Sequence, residues 1–131
     1  MPIVRDDGFH AEDLNAPFGP VEEGGPHVDL APDADLDALL DRLASVRAVR
    51  VAFPSFADGR GFTVAGQLRR AGYTGRLRAA GHVIADQYAM ARRAGFDEVE
   101  IDDALATRQP EAQWRARADW RAHDYQGRLR G

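Results

Sequence analysis

The spacing of hydrophobic and polar positions changes several times along the chain and predicts alternating strands and helices. Short, mostly apolar runs predict four β-strands, at Val28–Ala31, Val49–Phe53, Arg76–Ala80 and Val99–Ile101. Apolar residues at helical intervals predict helices at Leu36–Val46, Phe62–Ala71 and Val83–Ala94, and a further helical stretch at Pro110–Ala122. Strands that alternate with helices in this way are typical of an α/β fold.

The chain also repeats part of its own sequence. Arg69–Tyr73 is echoed 23 residues later by Arg92–Phe96, and in each copy a glycine follows two arginines and an alanine. Such a segment ends a helix with cations and glycine, and its aromatic residue then returns toward the sheet. Short βα units of this kind pair their strands in parallel through right-handed crossovers. We therefore expect a small, mostly parallel four-stranded sheet with flanking helices; a half-barrel-like βα arrangement is the alternative.

The pattern divides the chain into three segments. Residues 1–26 are rich in proline and glycine, which predicts an extended N-terminal arm with a short strand at Ile3–Val4. Residues 27–104 are expected to form the α/β core domain, and residues 105–131 a C-terminal helix and tail. The last segment carries two tryptophans that could dock on the domain or hold a homo-oligomer together: Trp114 and Trp120.

Composition narrows the class of protein. The 131-residue chain has no cysteine, which excludes disulfides, thiolate metal sites and cysteine nucleophiles. The net charge is -4 and all 17 basic residues are arginine, which indicates a GC-rich bacterial genome more than a nucleic-acid surface. No apolar run approaches the roughly 20 residues of a membrane span, and the start lacks the apolar region of a secretory signal. We expect a cytoplasmic protein that binds neither nucleic acid nor membrane.

Candidate chemistry lies in the loops after the predicted strands, because ligands bind at the carboxyl ends of parallel strands. The loop after the second strand reads Asp58-Gly59-Arg60-Gly61. Its glycines permit a positive φ or the close approach of a ligand. The next helix would present free N–H groups beside the Arg60 guanidinium, which predicts an anion site. The alternative is a turn in which Asp58 caps the helix and pairs with Arg60.

Further residues extend this candidate site. His82 follows the third strand and could titrate near neutral pH, and Asp86 and Gln87 lie in the first turn of the third helix. Arg78 alternates with Arg76 on one face of the third strand, which suggests a basic surface. The simpler interpretations are a surface histidine, a helix-dipole partner at Asp86 and solvated charge on an edge strand. The candidate ligand- or anion-binding residues are Asp58, Gly59, Arg60, Gly61, Arg78, His82, Asp86 and Gln87.

Other motifs are absent or incomplete. Asp33, Asp35 and Asp37 imitate the start of a calcium loop, but Ala38 replaces the required glycine. The sequence contains no phosphate-binding loop, nucleophile elbow or dinucleotide fingerprint. Its 4 histidines are too scattered to predict a metal site. We expect no cofactor and no metal, and the sequence assigns no catalytic residue.

One block of the sequence resembles a known bacterial family. The matching residues are Phe53–Phe62, Leu68–Arg69, Gly72–Gly75, Leu77–Ala79, Gly81, Asp86–Gln87 and Arg93–Asp97, with Tyr125–Gln126 near the end. This combination resembles the bacterial domain of unknown function 934 family, some of whose members are labelled oxidoreductases. Two positions depart from the pattern, since His82 stands where an acidic residue is expected and Thr63 replaces a serine.

The resemblance implies a place in sulfate assimilation, because family members are typically encoded beside sulfite reductase. It implies a non-catalytic accessory protein of assimilatory sulfite reduction. Such a protein would dock on sulfite reductase, or on another protein of sulfate assimilation, or support electron delivery. The alternative is a small enzyme or anion-binding module that acts on a sulfur oxyanion or a phosphorylated metabolite at the Asp58/Arg60 loop. Whether the protein is an enzyme stays open at this point.

Overall fold

A six-stranded β-sheet lies at the centre of the computed structural model, which describes residues 1–121. Its strands are β1 (Ile3–Arg5), β2 (Gly8–His10), β3 (His27–Leu30), β4 (Ala48–Phe53), β5 (Arg76–Gly81) and β6 (Glu98–Glu100). The α-helices are α1 (Asp37–Leu40), α2 (Arg60–Arg70), α3 (Tyr88–Ala94), α4 (Asp103–Arg108) and α5 (Glu111–Arg115), with 3₁₀ turns at Val21–Glu23, Leu43–Ser45 and Ala85–Gln87. The predicted α/β fold is confirmed. None of the helices within residues 1–121 has the length and apolar character that crossing a membrane requires.

The strand order is β2-β1-β6-β5-β4-β3. Strands β3 to β6 correspond to the four predicted strands, and neighbours among them run parallel. Strand β1 pairs antiparallel with both β6 and β2. The expected four-stranded sheet is therefore too small, because the N-terminal arm contributes two strands. The second of these was not predicted, since a strand of 3 residues that begins with Gly8 shows too little alternation to recognise.

The parallel part of the sheet follows the order of the chain, so right-handed connections all pass over the same face. The sheet is open, with β2 and β3 at its edges. The half-barrel-like alternative would share both this consecutive order and the open edges. Both edges are covered. Gly19 bridges to Val28 of β3, and the Glu111 carboxylate of α5 accepts a 2.7 Å hydrogen bond from the Phe9 N–H of β2. Covered edges resist pairing with other chains.

The first predicted helix is much shorter in the structure. The predicted Leu36–Val46 helix ends at Leu40, because Arg42 has a non-helical φ of -134°. The Arg42 guanidinium instead donates to the carbonyl oxygens of Val21 and Gly25, at 3.0 and 2.9 Å. Hydrogen bonding to the arm thus overrides the local helical pattern.

The remaining helices agree with the prediction in part. Gly72 and Gly95 follow α2 and α3 with φ of +95° and +120°, the left-handed conformations expected of glycine at helix ends. The third helix is divided into a 3₁₀ turn and α3. The predicted Pro110–Ala122 helix is confined to α5, α4 was not predicted, and residue 122 lies outside the described residues.

The hydrophobic core lies between the sheet and the helices. Alternate residues of the parallel strands contribute to it, and these are Val28, Leu30, Val49, Val51, Phe53, Leu77, Ala79 and Val99. The aromatic residues of the two repeated segments, Tyr73 and Phe96, are both buried there. Trp114 is also buried and packs edge-on against Tyr88, with ring centres 6.2 Å apart. The start of the C-terminal segment therefore docks on the chain's own domain.

Candidate functional site

The face of the sheet turned away from the helices carries charge. Charged residues at alternate strand positions form what we call the ionic face: Arg5, Asp29, Arg50, Arg76, Arg78, Glu98 and Glu100. Their placement follows from the two-residue period of a strand, which sends the apolar neighbours of each charge into the core. The sheet register places one row of four side by side, namely Asp29, Arg50, Arg78 and Glu98. Two cations at the centre of this row are thus flanked by two carboxylates.

Arg78 is the centre of the ionic face. Its side chain has no exposed surface, and its guanidinium binds three carboxylates. Nε donates to Glu98 at 2.6 Å and Nη1 to Glu100 at 2.9 Å. Both terminal nitrogens also donate to Glu12, at 2.7 and 2.6 Å. Burial opposes the charge of Arg78, but the carboxylates outweigh burial and raise its pKa.

Arg50 extends the network across the sheet. Its Nε and Nη2 donate to the two oxygens of Asp29, at 2.6 and 2.8 Å, and this pairing raises the pKa of Arg50. Its Nη1 donates to Glu100 at 3.2 Å. The Glu100 carboxylate therefore joins Arg50 to Arg78.

Two carboxylates of the N-terminal arm bind arginines of the ionic face. Glu12 binds Arg78, and Asp13 accepts hydrogen bonds from Arg5 at 2.9 Å and from Arg76 at 2.8 Å. Hydrogen bonds from these arginines lower the pKa of both carboxyl groups to about 2. The arm is therefore held on the ionic face by charge.

The arm also contributes an aromatic ring. The ring of Phe18 lies 4.4 Å from the guanidinium carbon of Arg50 and 5.2 Å from that of Arg78. Its other neighbour is the buried imidazole of His27, whose Nδ1 donates to the carbonyl oxygen of Ala16 at 2.8 Å. An aromatic face against a partly desolvated guanidinium contributes about 0.5–2 kcal/mol. Phe18 therefore completes the cover over both central cations.

Among the described residues, two of the cavities border the ionic face at Arg50 and Glu100. The first has a volume of about 650 Å³ and has Glu12 in its wall. The second, of about 640 Å³, has a floor of small residues at the carboxyl ends of the strands: Ala52, Ala80 and Gly81. Arg50 and Glu100 line both cavities. Space for a small molecule is therefore available directly beside the ion pairs.

The predicted Asp58/Arg60 loop has a different geometry. The Asp58 carboxylate accepts hydrogen bonds from Arg60 Nε at 2.9 Å, Nη2 at 2.6 Å and the backbone N–H at 3.1 Å. The Arg60 guanidinium holds the pKa of Asp58 at about 2. The loop therefore contains the turn in which Asp58 pairs with Arg60, and an anion would have to compete with Asp58.

Packing explains one of the two glycines of this loop. Gly59 has an ordinary φ of -90°, and Gly61 is not among the glycines with positive φ. A Cβ atom at Gly61 would lie 2.5 Å from the ring of Phe53. Positive φ, one of the two reasons predicted for these glycines, therefore does not occur. Gly61 instead allows α2 to lie close against β4.

His82 and Gln87 hold the loop between β4 and α2 in place. The Nδ1 of His82 donates to the carbonyl oxygen of Pro54 at 2.7 Å, and its ring lies 5.0 Å from that of Phe56. The Gln87 side chain donates to the carbonyl oxygen of Phe56 at 2.9 Å. Residues 54–60, His82 and Gln87 thus share one edge, which we call the rim. Parallel strands bring these segments together as the sequence predicted.

Asp86 and Arg78, two other predicted site residues, bind elsewhere. Asp86 pairs with Arg117 at 2.8 Å, and both side chains are exposed. Arg78 lies on the interior strand β5 and is buried among carboxylates. The predictions of a basic surface and of solvated edge-strand charge at Arg78 are therefore both wrong. Asp102, which also follows a strand, caps α4 by accepting a 2.7 Å hydrogen bond from the Leu105 N–H.

The rim and most of the ionic face lie in a part of the chain that matches a known protein family. A family model described as bacterial protein of unknown function (DUF934) matches residues 27–131. The chain belongs to this family. No curated protein and no solved structure matches it. The DUF934 match includes the rim and the ionic face from Asp29 to Glu100, and it begins after the arm residues that cover that face. Tyr125–Gln126, part of the sequence resemblance, lies outside the described residues.

Most of the ionic face of this DUF934 protein was not predicted from its sequence. A signal was present, because Val28-Asp29-Leu30, Val49-Arg50-Val51 and Glu98-Val99-Glu100 all place charge and apolar residues alternately in strands. Glu12 and Phe18 carried no such signal, since they lie in irregular chain between β2 and β3. Within residues 1–121, no group of histidine and acidic side chains is arranged to hold a metal ion.

Proposed function

We propose that this chain is an accessory protein of assimilatory sulfite reduction. It would act by binding a partner protein, sulfite reductase or another protein of sulfate assimilation, or by supporting electron delivery to it. Membership of the DUF934 family supports the pathway, because the sequence resemblance implies genes encoded beside sulfite reductase. The rim supports binding of a protein partner.

Two exposed apolar side chains, Phe56 in the rim and Met90 on the neighbouring helix α3, carry this proposal. Phe56 is 40% exposed and Met90 is 50% exposed. Met90 follows Gln87 by three positions, about one helical turn, and Gln87 is itself bonded to the Phe56 carbonyl oxygen. Gln87 therefore links the loop that carries one exposed apolar side chain to the helix that carries the other. Exposed apolar side chains surrounded by polar groups are typical of protein-binding surfaces.

The alternative, an anion-binding module or small enzyme at the Asp58/Arg60 loop, has weaker support. Both charges of that loop are already used in a bidentate ion pair with a shortest distance of 2.6 Å. An incoming oxyanion would have to displace a carboxylate two residues away on the same chain, whose effective concentration is high.

The test is retention of sulfite reductase from the same organism on immobilised tagged protein. We expect wild type to retain the enzyme, and a Phe56→Ser, Met90→Ser double variant to bind at least tenfold more weakly, because the apolar contacts are lost. Leu40→Ser is the matched control, since Leu40 is also 40% exposed but lies on α1. If wild type never retains the enzyme at any salt concentration, or if the double variant binds like the control, the docking proposal is wrong.

A further inference from the structure

We propose that the ionic face is a binding site for a small oxyanion, and that the Glu12 carboxylate occupies it as an exchangeable part of the chain's own arm. The ligand class is a sulfate, a phosphate or a small metabolite that carries a carboxylate, sulfonate or phosphate group. This inference does not rest on docking at the rim, because the two surfaces use different residues.

The charge of the sheet explains why an anion belongs on this face. The strands supply four guanidinium groups, from Arg5, Arg50, Arg76 and Arg78. They supply three carboxylates, from Asp29, Glu98 and Glu100. The strands alone therefore have one positive charge in excess, and the arm adds the carboxylates of Glu12 and Asp13. The anionic groups that complete the site come from outside the sheet.

Glu12 contacts Arg78 as a bound carboxylate ligand would. Its two oxygens accept from the two terminal nitrogens of the guanidinium, at 2.7 and 2.6 Å, which is the bidentate geometry of recognised carboxylates and phosphates. Glu98 and Glu100 orient the same guanidinium through Nε and Nη1. The site is therefore built and rigid on the sheet side, and its remaining partner belongs to the arm.

The Glu12 contact can be exchanged without unfolding the sheet. The Glu12 side chain is 45% exposed, whereas that of Glu98 is 2% exposed. Glu12 also lines the first cavity together with Arg50 and Glu100, so an anion in solvent can reach the Glu12 carboxylate and, once Glu12 moves away, the Arg78 guanidinium behind it. The second cavity, over Ala52 and Ala80, offers about 640 Å³ for the organic part of a larger ligand.

The first test compares Glu12→Ala with Glu22→Ala in sodium sulfate and in sodium chloride of equal ionic strength. Among the described residues, Glu22 makes no hydrogen bond to the ionic face, so its replacement removes the same charge from the same arm without opening the site. Sulfate stabilises most proteins by exclusion, and this general effect is equal in both variants. We expect the Tm of Glu12→Ala to rise in sulfate by about 5 °C more than that of Glu22→Ala, at about ten times the dissociation constant.

The second test uses wild type, so that it does not depend on the folding of a variant. If sulfate replaces Glu12, hydrogen exchange of the Asp13 and Leu14 amides, which donate to the Glu12 carboxylate, accelerates with sulfate concentration, while β5 stays protected. A fixed structural ion pair would leave arm exchange unchanged. Equal sulfate effects in the two variants, or arm exchange in wild type that is unchanged at saturating sulfate, overturns the proposal.

Discussion

Replacing Glu98 by glutamine should destabilise the protein far more than the same replacement of Glu12, although both carboxylates bind Arg78 at 2.6 Å. The difference is burial, since the Glu98 side chain is 2% exposed and that of Glu12 is 45% exposed. Glu98→Gln keeps the side-chain shape but removes the charge that Arg78 shares with Arg5, which binds Glu98 at 3.1 Å. Water cannot replace that charge at a site where Arg78 has no exposed surface.

The expected losses of stability follow from how deeply Glu98 and Glu12 are buried. Glu98 and Arg78 are both buried, and removing one partner of such an ion pair costs about 3–5 kcal/mol of the free energy of unfolding. The Glu12 carboxylate is 45% exposed and water can take its place, so its pair with Arg78 should contribute about as much as an exposed pair, roughly 0–1 kcal/mol. For a domain of this size the Tm falls by roughly 3–6 °C per kcal/mol. Glu98→Gln should therefore lower the Tm by roughly 10–25 °C, and Glu12→Gln by no more than about 5 °C.

Urea unfolding followed by circular dichroism measures both changes, and calorimetry gives the Tm. Glu22→Gln serves as the control and should stay within about 0.5 kcal/mol of wild type, because it is an exposed substitution away from the network. Equal losses in Glu98→Gln and Glu12→Gln would refute the reasoning, since they would mean that burial does not determine the strength of these ion pairs.

Three further changes test other parts of the structure. The pKa of Glu12 is lowered from 4.5 to about 2, so its contribution to stability is complete above pH 4.5 and is lost as the pH falls toward 2. Between these two pH values, the Tm of Glu12→Gln should therefore fall less steeply than the Tm of wild type. Gly81 has φ of +111° and a Cβ there would lie 2.8 Å from the carbonyl oxygen of Phe53, so Gly81→Ala should cost about 2 kcal/mol in urea unfolding, and an unchanged midpoint would contradict the geometry. Tyr73→Phe removes a buried 3.0 Å hydrogen bond to the carbonyl oxygen of Val46 and should cost about 1 kcal/mol; a neutral result in the same assay would show that this bond contributes nothing.

The features that could be predicted from sequence are those that local pattern determines. The four parallel strands alternate in hydrophobicity, and Gly72 and Gly95 end their helices by a backbone conformation that glycine favours. Parallel pairing then brought His82 and Gln87 to the loop after β4. The features that were missed depend on distant parts of the chain.

The ionic face shows why such features escape a reading of local sequence. Glu12 and Arg78 are 66 positions apart, and nothing in the arm marks Glu12 as the partner of a buried cation. Arg42 lies in a stretch with a helical sequence pattern but is not helical in the structure. The reason is of the same kind, because its guanidinium donates hydrogen bonds to the carbonyl oxygens of Val21 and Gly25 in the distant arm. The sequence shows Arg50 within a predicted strand. That Arg50 lies beside Arg78 could be known only from the strand order.

The proposed role in sulfite reduction is tested most directly by deleting the gene and growing the strain on defined sulfur sources. We expect the deletion strain to fail on sulfate and on sulfite, and to grow normally when sulfide or cysteine is supplied, because the block lies at the reduction of sulfite to sulfide. Normal growth on sulfate, or recovery when sulfite is supplied, would contradict the proposed role.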